Sequence, residues 1–248
     1  MSLPFLSLLS RAGVIVLLSV CFSAAAEPTS VPGLILPFQE VEVGTAAAGL
    51  VAEVLVKEGD TVEEGQPILR LNDEVEKLEV ERAARVLEKA RFDHDAAEKL
   101  LAEKIGTRED ALKKRIEHDL ASLALQAAQL RLAQRTIRAP IQGILVRRDK
   151  EPGEAVQLDE TVAQVVHIRR LYAQFYLEPA QVRLAQPGQS LNLRVPSLPE
   201  QPPLSARIDF IDPRMDAESG LYRIKLLLDN ADLRLKAGMR AELLISGP

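Results

Sequence analysis

The chain has 248 residues, 47% of them apolar and 27% charged, a balance that suits a packed protein and argues against a disordered polymer. Its 31 basic and 36 acidic residues give a formal charge of −5, which counts against broad nucleic-acid binding. Six Phe, three Tyr, no Trp and a lone cysteine, Cys21, leave few aromatic anchors and exclude an intrachain disulfide framework or cysteine metal cluster, so thin or extended modules fit better than one thick globule.

Residues 1–26 read as an export signal. Arg11 precedes an apolar run from Ala12 to Phe22, and Ala24-Ala25-Ala26 offers small residues for cleavage. The run is about eleven residues, short of the roughly 20 that span a bilayer, so a retained anchor is the lesser alternative. Leu18-Ser19-Val20-Cys21 raises a second one, a lipid-modified Cys21, against which the bulk of Val20 counts. Cleavage leaves a soluble exported body.

Residues 27–42 form an N-terminal extension, whose segment around Val31–Phe38 is expected to add a strand to the C-terminal β region. From 43 to 72, short aliphatic runs alternate with turns at Gly59-Asp60 and Gly65-Gln66-Pro67. A related pattern returns over 136–168. Gly49 and Gly59 recur as Gly143 and Gly153 at an offset of about 94 residues, and Val62 falls on Val156. Two such halves can cover each other's apolar faces and satisfy each other's edges, which predicts one β domain interrupted by an insertion.

The insertion, residues 73–135, changes period. Val80, Ala83, Leu87, Ala90, His94, Ala97 and Leu101 recur every three or four residues; after Gly106-Thr107 so do Leu112, Ile116, Asp119, Leu123, Gln126, Leu130 and Ala133. This predicts an antiparallel helical hairpin with these two stripes as its seam, Ala97 meeting Ile116, Ala90 meeting Leu123 and Ala83 meeting Leu130, small against large. Thr107 is placed to cap the second helix, with Asp110 completing a capping box, and Gly106 to relieve the turn. An arm of about 30 residues projects roughly 45 Å, so the hairpin reads as a spacer with a tip. Its charge runs are solvated faces, while Ile105 beside Lys104, Arg108, Glu109 and Asp110 offers an apolar anchor with polar register for a partner. His94 is expected near His118 and Asp119, but two His and one Asp fall short of a closed metal set and read as a hydrogen-bonded group.

Residues 169–248 alternate in short runs from Leu171 to Ile245, the pattern of a small β-barrel or sandwich. Gly188, Pro213, Gly220, Asn230 and Gly238 read as turn residues, and Asp209, Asp212, Asp216 and Glu218 as turn and surface acids. No nucleophile–base pair or convergent carboxylate spacing emerges, so no enzyme, cofactor or metal is expected.

The segments GLVAEVLVKEGDTVEEGQPILRLND, TIRAPIQGILVRRDKEPGEAV, IDFIDPRMDAESGLYRIKLLLDN and LKAGMRAELLI together resemble the periplasmic adaptor, or membrane-fusion, family of bacterial tripartite efflux and secretion systems. The resemblance covers most of the chain after the signal. It implies a mixed α/β, mainly β fold: a lipoyl-like barrel-sandwich hybrid interrupted by an antiparallel helical hairpin, followed by a small β-barrel. It implies a homo-oligomer in the periplasm, at the inner membrane, linking an inner-membrane transporter to an outer-membrane channel. It also implies channel contacts near the tip, for which Lys99, Leu100, Leu101, Thr107 and Asp110 are candidates beside Ile105 and Arg108. The long insertion takes the place of the modified lysine of true lipoyl domains, so no cofactor follows. A further membrane-proximal domain, common in the family, has little room before Pro248, which makes this a minimal adaptor by that reading. The competing reading is an exported structural or glycan-binding module with a coiled-coil arm.

Overall fold

The computed structural model describes residues 29–245, so the export signal and Cys21 lie outside the described residues. Two long strands run through the body: β1 (Thr29–Gly44) and β8 (Thr161–Leu177), paired antiparallel along most of their length. A register shift between Pro37 and Gln39 divides that ribbon. On one side of the shift, β1 and β8 join β9 (Ser190–Arg194), β10 (Leu204–Met215), β11 (Tyr222–Asp229) and β12 (Arg240–Ile245) in the order β1-β12-β9-β10-β11-β8, and the β1–β8 pairing closes the barrel. Alternate side chains of these strands, among them Ile35, Phe175, Leu193, Ile208 and Leu226, fill its interior.

On the other side of the shift, the same two strands enter a sandwich with a separate core, built from Val43, Val51, Val62, Leu69, Leu145 and Val165 among others. One layer adds β6 (Gly143–Arg148) and β3 (Thr61–Val62); the other is β5 (Thr136–Arg138), β4 (Pro67–Leu71), β2 (Gly49–Val54) and β7 (Ala155–Val156). The two half-repeats exchange strands. Gly49 of β2 pairs with Val156 of β7, and Val62 of β3 pairs with Gly143 of β6. Even the turns repeat: Lys57 N–H bonds Asp60 as Glu151 N–H bonds Glu154, and Glu63 N–H bonds Gln66 as Gln157 N–H bonds Glu160. Asp159 takes the positive φ that Gly65 takes in the first half.

Neighbouring strands β4 and β5 are joined by α1 (Glu74–Ala102) and α2 (Arg108–Ala133), an antiparallel hairpin. Its base is fastened by Arg135, whose guanidinium bonds Ala48 O at 2.7 Å and Glu76 Oε1 at 2.6 Å. Ala48 follows the end of β1, whereas Thr29, at the start of β1, pairs with Ile245. The hairpin and the described chain ends therefore lie at opposite ends of the body.

The α1 stripe expected from sequence does face α2. The α2 stripe does not: Leu112, Ile116, Asp119, Leu123, Gln126 and Leu130 are exposed, and Ala111, Ala121 and Ala128 are buried instead. Alanines on both arms are the fully buried positions and let the helices approach closely, with Leu87, Leu101, Leu125 and Leu132 half-buried beside them, while Leu112, Ile116, Leu123 and Leu130 turn outward.

Three further readings change. Pro213 lies inside β10, at a bulge between Ile211 and Met215 where no regular ladder bond is needed. Asn230 does open a turn, its carbonyl accepting from Leu233 N–H at 3.1 Å, but it is also buried; its Nδ2 donates to Ile168 O and Leu235 O, and its Oδ1 accepts from Leu235 N–H, pinning the loop after β11 to β8. Asp212 is buried rather than a surface acid. The guanidinium and backbone N–H of Arg214, with Arg223, hold its carboxyl down at about 2, the signature of a structural ion pair.

Candidate functional site

The tip is built by how α1 stops. Lys104 N–H bonds Leu101 O at 3.0 Å and Ile105 N–H bonds Leu100 O at 2.9 Å, the paired bonds of a Schellman ending. That ending needs a left-handed residue, and Lys104 supplies it at φ 60°. Gly106 does not take a positive φ. Its role is close approach, since a Cβ there would meet Leu100 Cβ and Leu101 N at 3.2 Å. Thr107 then caps α2, its hydroxyl accepting from Asp110 N–H at 3.1 Å.

A lysine in the left-handed region carries a backbone penalty that glycine avoids. Lys104→Gly is therefore expected to slow amide exchange at the end of α1, from Leu101 to Ile105, by the equivalent of about 1 kcal/mol. Faster exchange in the variant would show that the Lys104 side chain makes a stabilising contact which outweighs its strain.

Of the residues singled out from sequence, Lys99, Leu100, Ile105, Thr107, Arg108 and Asp110 are exposed on the last turn of α1, the connection and the first turn of α2. Leu101 is half-buried and turns toward the hairpin. Ile105 is 73% exposed and Leu100 44%, so the tip carries an apolar pair that no other described residue covers. Among the described residues, no ion pair involves Lys99, Lys104, Arg108, Glu109 or Asp110. Farther down the arm the charges are paired: Lys89 with Asp93 and Lys114 with Glu117, each pair raising its base or lowering its acid through a hydrogen bond. The tip thus presents unpaired charge around an apolar centre, a composition that suits a protein contact.

His94 and His118 do meet across the seam, rings stacked at 5.6 Å between centroids, yet the Nδ1 of each lies beside its own neighbour, Asp95 or Asp119. Among the described residues, no three His, Cys, Asp or Glu side chains are grouped to hold a metal ion, and no helix is long and apolar enough to cross a membrane.

Sequence reasoning missed a second feature of the arm. From Leu120 to Gln134 the only charge is Arg131, and Leu120, Leu123 and Leu130 point outward from that stretch. The missing charges were the available signal, because a solvated helix face is rarely left without them.

Residues 39–167 match the family described as "CzcB-like, barrel-sandwich hybrid domain", and residues 173–248 the family described as "CusB-like, beta-barrel domain". The nodulation protein NolF of Rhizobium meliloti is 26% identical over 86% of this chain and 62% of its own length. The cation efflux system protein CusB of Escherichia coli K12 is 27% identical over 82% of this chain and 48% of its own. The chain spans about half the length of the curated relatives it matches. Among solved structures, a MacA–MexA chimera carrying the Pseudomonas aeruginosa MexA α-hairpin domain superposes with a TM-score of 0.76 at 18% identity, over 88% of this chain and 81% of that one. The membrane fusion protein Spr0693 of Streptococcus pneumoniae R6 gives 0.71 at 17% identity, over 87% of this chain and 100% of that one. These likenesses share the fold.

Proposed function

The chain belongs to the CzcB-like barrel-sandwich-hybrid family of periplasmic adaptor, or membrane-fusion, proteins, a family that is not catalytic, and on that premise we propose that it joins an inner-membrane transporter to an outer-membrane channel. In this reading the hairpin tip engages the channel, the barrel end faces the transporter, and several copies stand side by side as a sleeve in the periplasm. Energy comes from the transporter; the adaptor supplies a path and mechanical coupling.

The observation that carries the reading is the placement of the hairpin. Its first helix has 29 residues and so reaches about 43 Å from the sandwich. The body behind it is fixed, with two long strands shared by both β modules and Arg135 clamping the hairpin to Ala48 in the connection between β1 and β2. A long arm on a rigid base, ending in an uncovered apolar pair, suits a contact made at a distance. The aliphatic outer face of α2 supports the side-by-side arrangement.

A photoactivatable crosslinker at Ile105 or Arg108 is expected to capture an outer-membrane channel in intact cells, while one at Glu88, on the shaft, is not. Capture of glycan strands alone would favour an exported glycan-binding arm instead.

A further inference from the structure

Two of the chain's three histidines meet on the hairpin. His94 of α1 and His118 of α2 each stand three residues before a buried alanine of the seam, Ala97 and Ala121, and their rings stack with planes 30° apart. Both are partly open to solvent, with 24% and 31% of the side chain exposed. His94 Nδ1 lies 3.3 Å from Asp95 Oδ1, and His118 Nδ1 lies 3.2 Å from Asp119 Oδ1. A carboxylate only accepts, so an imidazole that turns Nδ1 to one donates from that atom and keeps its lone pair on Nε2. That is a form in which histidine binds a metal ion, and the carboxylate behind it also steadies the ring. Among the described residues, neither Nε2 makes a hydrogen bond.

The third histidine lacks this setting: His167 Nδ1 faces the carbonyl oxygen of Gln142 at 3.0 Å, and its ring packs edge-on against Phe38 in the body. Glu98, one turn farther along α1 than His94, places Oε1 3.9 Å from His94 Nε2, too far for a hydrogen bond and close enough to be drawn in by a shared ion. An ion held by both rings at about 2.0–2.1 Å sets their Nε2 atoms about 3.4 Å apart in tetrahedral geometry. Histidine turns about its Cβ–Cγ bond in a broad well, so rings at this separation can close on an ion by side-chain rotation. The charge around them favours a cation. Asp95, Glu98 and Asp119 all stand beside the pair, while the cations nearby, Arg91 and Lys114, are turned to Asp95 and Glu117.

We propose that His94 and His118 form a cross-helix clamp for one divalent transition-metal ion, with Glu98 as a third ligand and water completing the shell. Two imidazoles and a carboxylate suit zinc and copper(II); magnesium and calcium take shells of oxygen. Asp95 and Asp119 stand behind the ligands and orient them. The ion ties α1 to α2 roughly 30 Å above the start of α1, at a stretch of seam whose fully buried side chains are alanines. The clamp belongs to the hairpin itself and does not depend on what the tip engages.

The test uses the purified exported chain in a Cys21→Ser background and without a histidine tag, so that no thiolate or added imidazole competes. Zinc chloride is expected to bind at one equivalent per chain, copper(II) to displace the zinc, and magnesium not to. His94→Gln and His118→Gln are each expected to weaken zinc binding at least tenfold and Asp119→Asn about tenfold, whereas His167→Gln leaves it unchanged. Binding is also expected to fall in acid, because an imidazole must shed its proton to become a ligand. The chain with all its histidines gives an independent reading. Saturating zinc is expected to slow amide exchange at least threefold over 90–98 and 114–122 and to leave the barrel amides around Phe175 unchanged. Binding that survives the loss of both hairpin histidines, or zinc that protects no hairpin amides, would overturn the proposal. A loss confined to one of the two histidine variants would overturn the clamp in favour of a site on a single helix.

Discussion

Replacing Gly143 by alanine is expected to destabilise the sandwich by about 3 kcal/mol or more, a drop of roughly 6–12 °C in its melting temperature. Gly143 begins β6 and lies against β8, and a Cβ there would overlap the carbonyl oxygen of Val166, with Val166 C at 2.8 Å and Val165 Cγ1 at 2.9 Å. The obstacle is backbone in a closed ladder, which cannot swing aside as a side chain can. The repeat supplies its own control. Gly49 holds the equivalent place in the first half, but a Cβ there would meet only the end of the Arg135 side chain at 2.9 Å and Leu71 at ordinary contact distance. Gly49→Ala is therefore expected to cost less than half as much. Thermal melts followed by circular dichroism check both, and equal losses would mean that strand propensity, not close approach, governs the two sites.

That pair shows what was legible in the sequence and what was not. The spacing of the glycines gave the repeat, because turns need particular backbone angles at particular places and Gly is the residue that accepts them. It could not tell why each glycine is there, since one is set by a neighbouring strand and the other by a long side chain, and both neighbours come from distant parts of the chain. The hairpin teaches the same lesson in another form. Its existence followed from the change of period, and its tip from Gly106-Thr107. Its second seam differs from the expected one, because the stripe of large aliphatic residues on α2 faces outward. Period alone does not say which of two apolar stripes turns inward. An Ala111–Ala121–Ala128 stripe allows closer helices, and only the packed structure shows that this stripe was used. Lys104 escaped notice because lysine carries no sign of a left-handed turn, while the adjacent Gly106 carries a false one. Asp212 looked like a surface acid because its partners, Arg214 and Arg223, are brought together by the β10–β11 pairing.

Arg135 is where the arm and the body are joined, and its removal is expected to produce the second large effect. The guanidinium is partly buried, as is Glu76, and it satisfies both the Glu76 carboxylate and the carbonyl of Ala48. Its own backbone carbonyl accepts from Leu71 N–H, so the same residue ties α2, α1, β4 and the segment after β1. In Arg135→Ala, a half-buried carboxylate and a carbonyl lose their donor together, a cost of about 2–3 kcal/mol, more than an exposed ion pair contributes and less than a fully buried one. Lysine is expected to recover less than half of this, because a single ammonium cannot reproduce the two-pronged geometry of the guanidinium. Glu76→Gln keeps an acceptor for Arg135 and should cost less than Arg135→Ala. The loss should also be local. Hydrogen exchange is expected to quicken over 74–80 and 130–135 while the barrel amides around Phe175 and Leu226 keep their protection, since the two β modules have separate cores. If barrel and hairpin loosen together, the body behaves as one cooperative unit and Arg135 is a general support. If only the base loosens, Arg135 is the joint through which a pull at the tip reaches β1, the strand that carries it to the far end of the barrel.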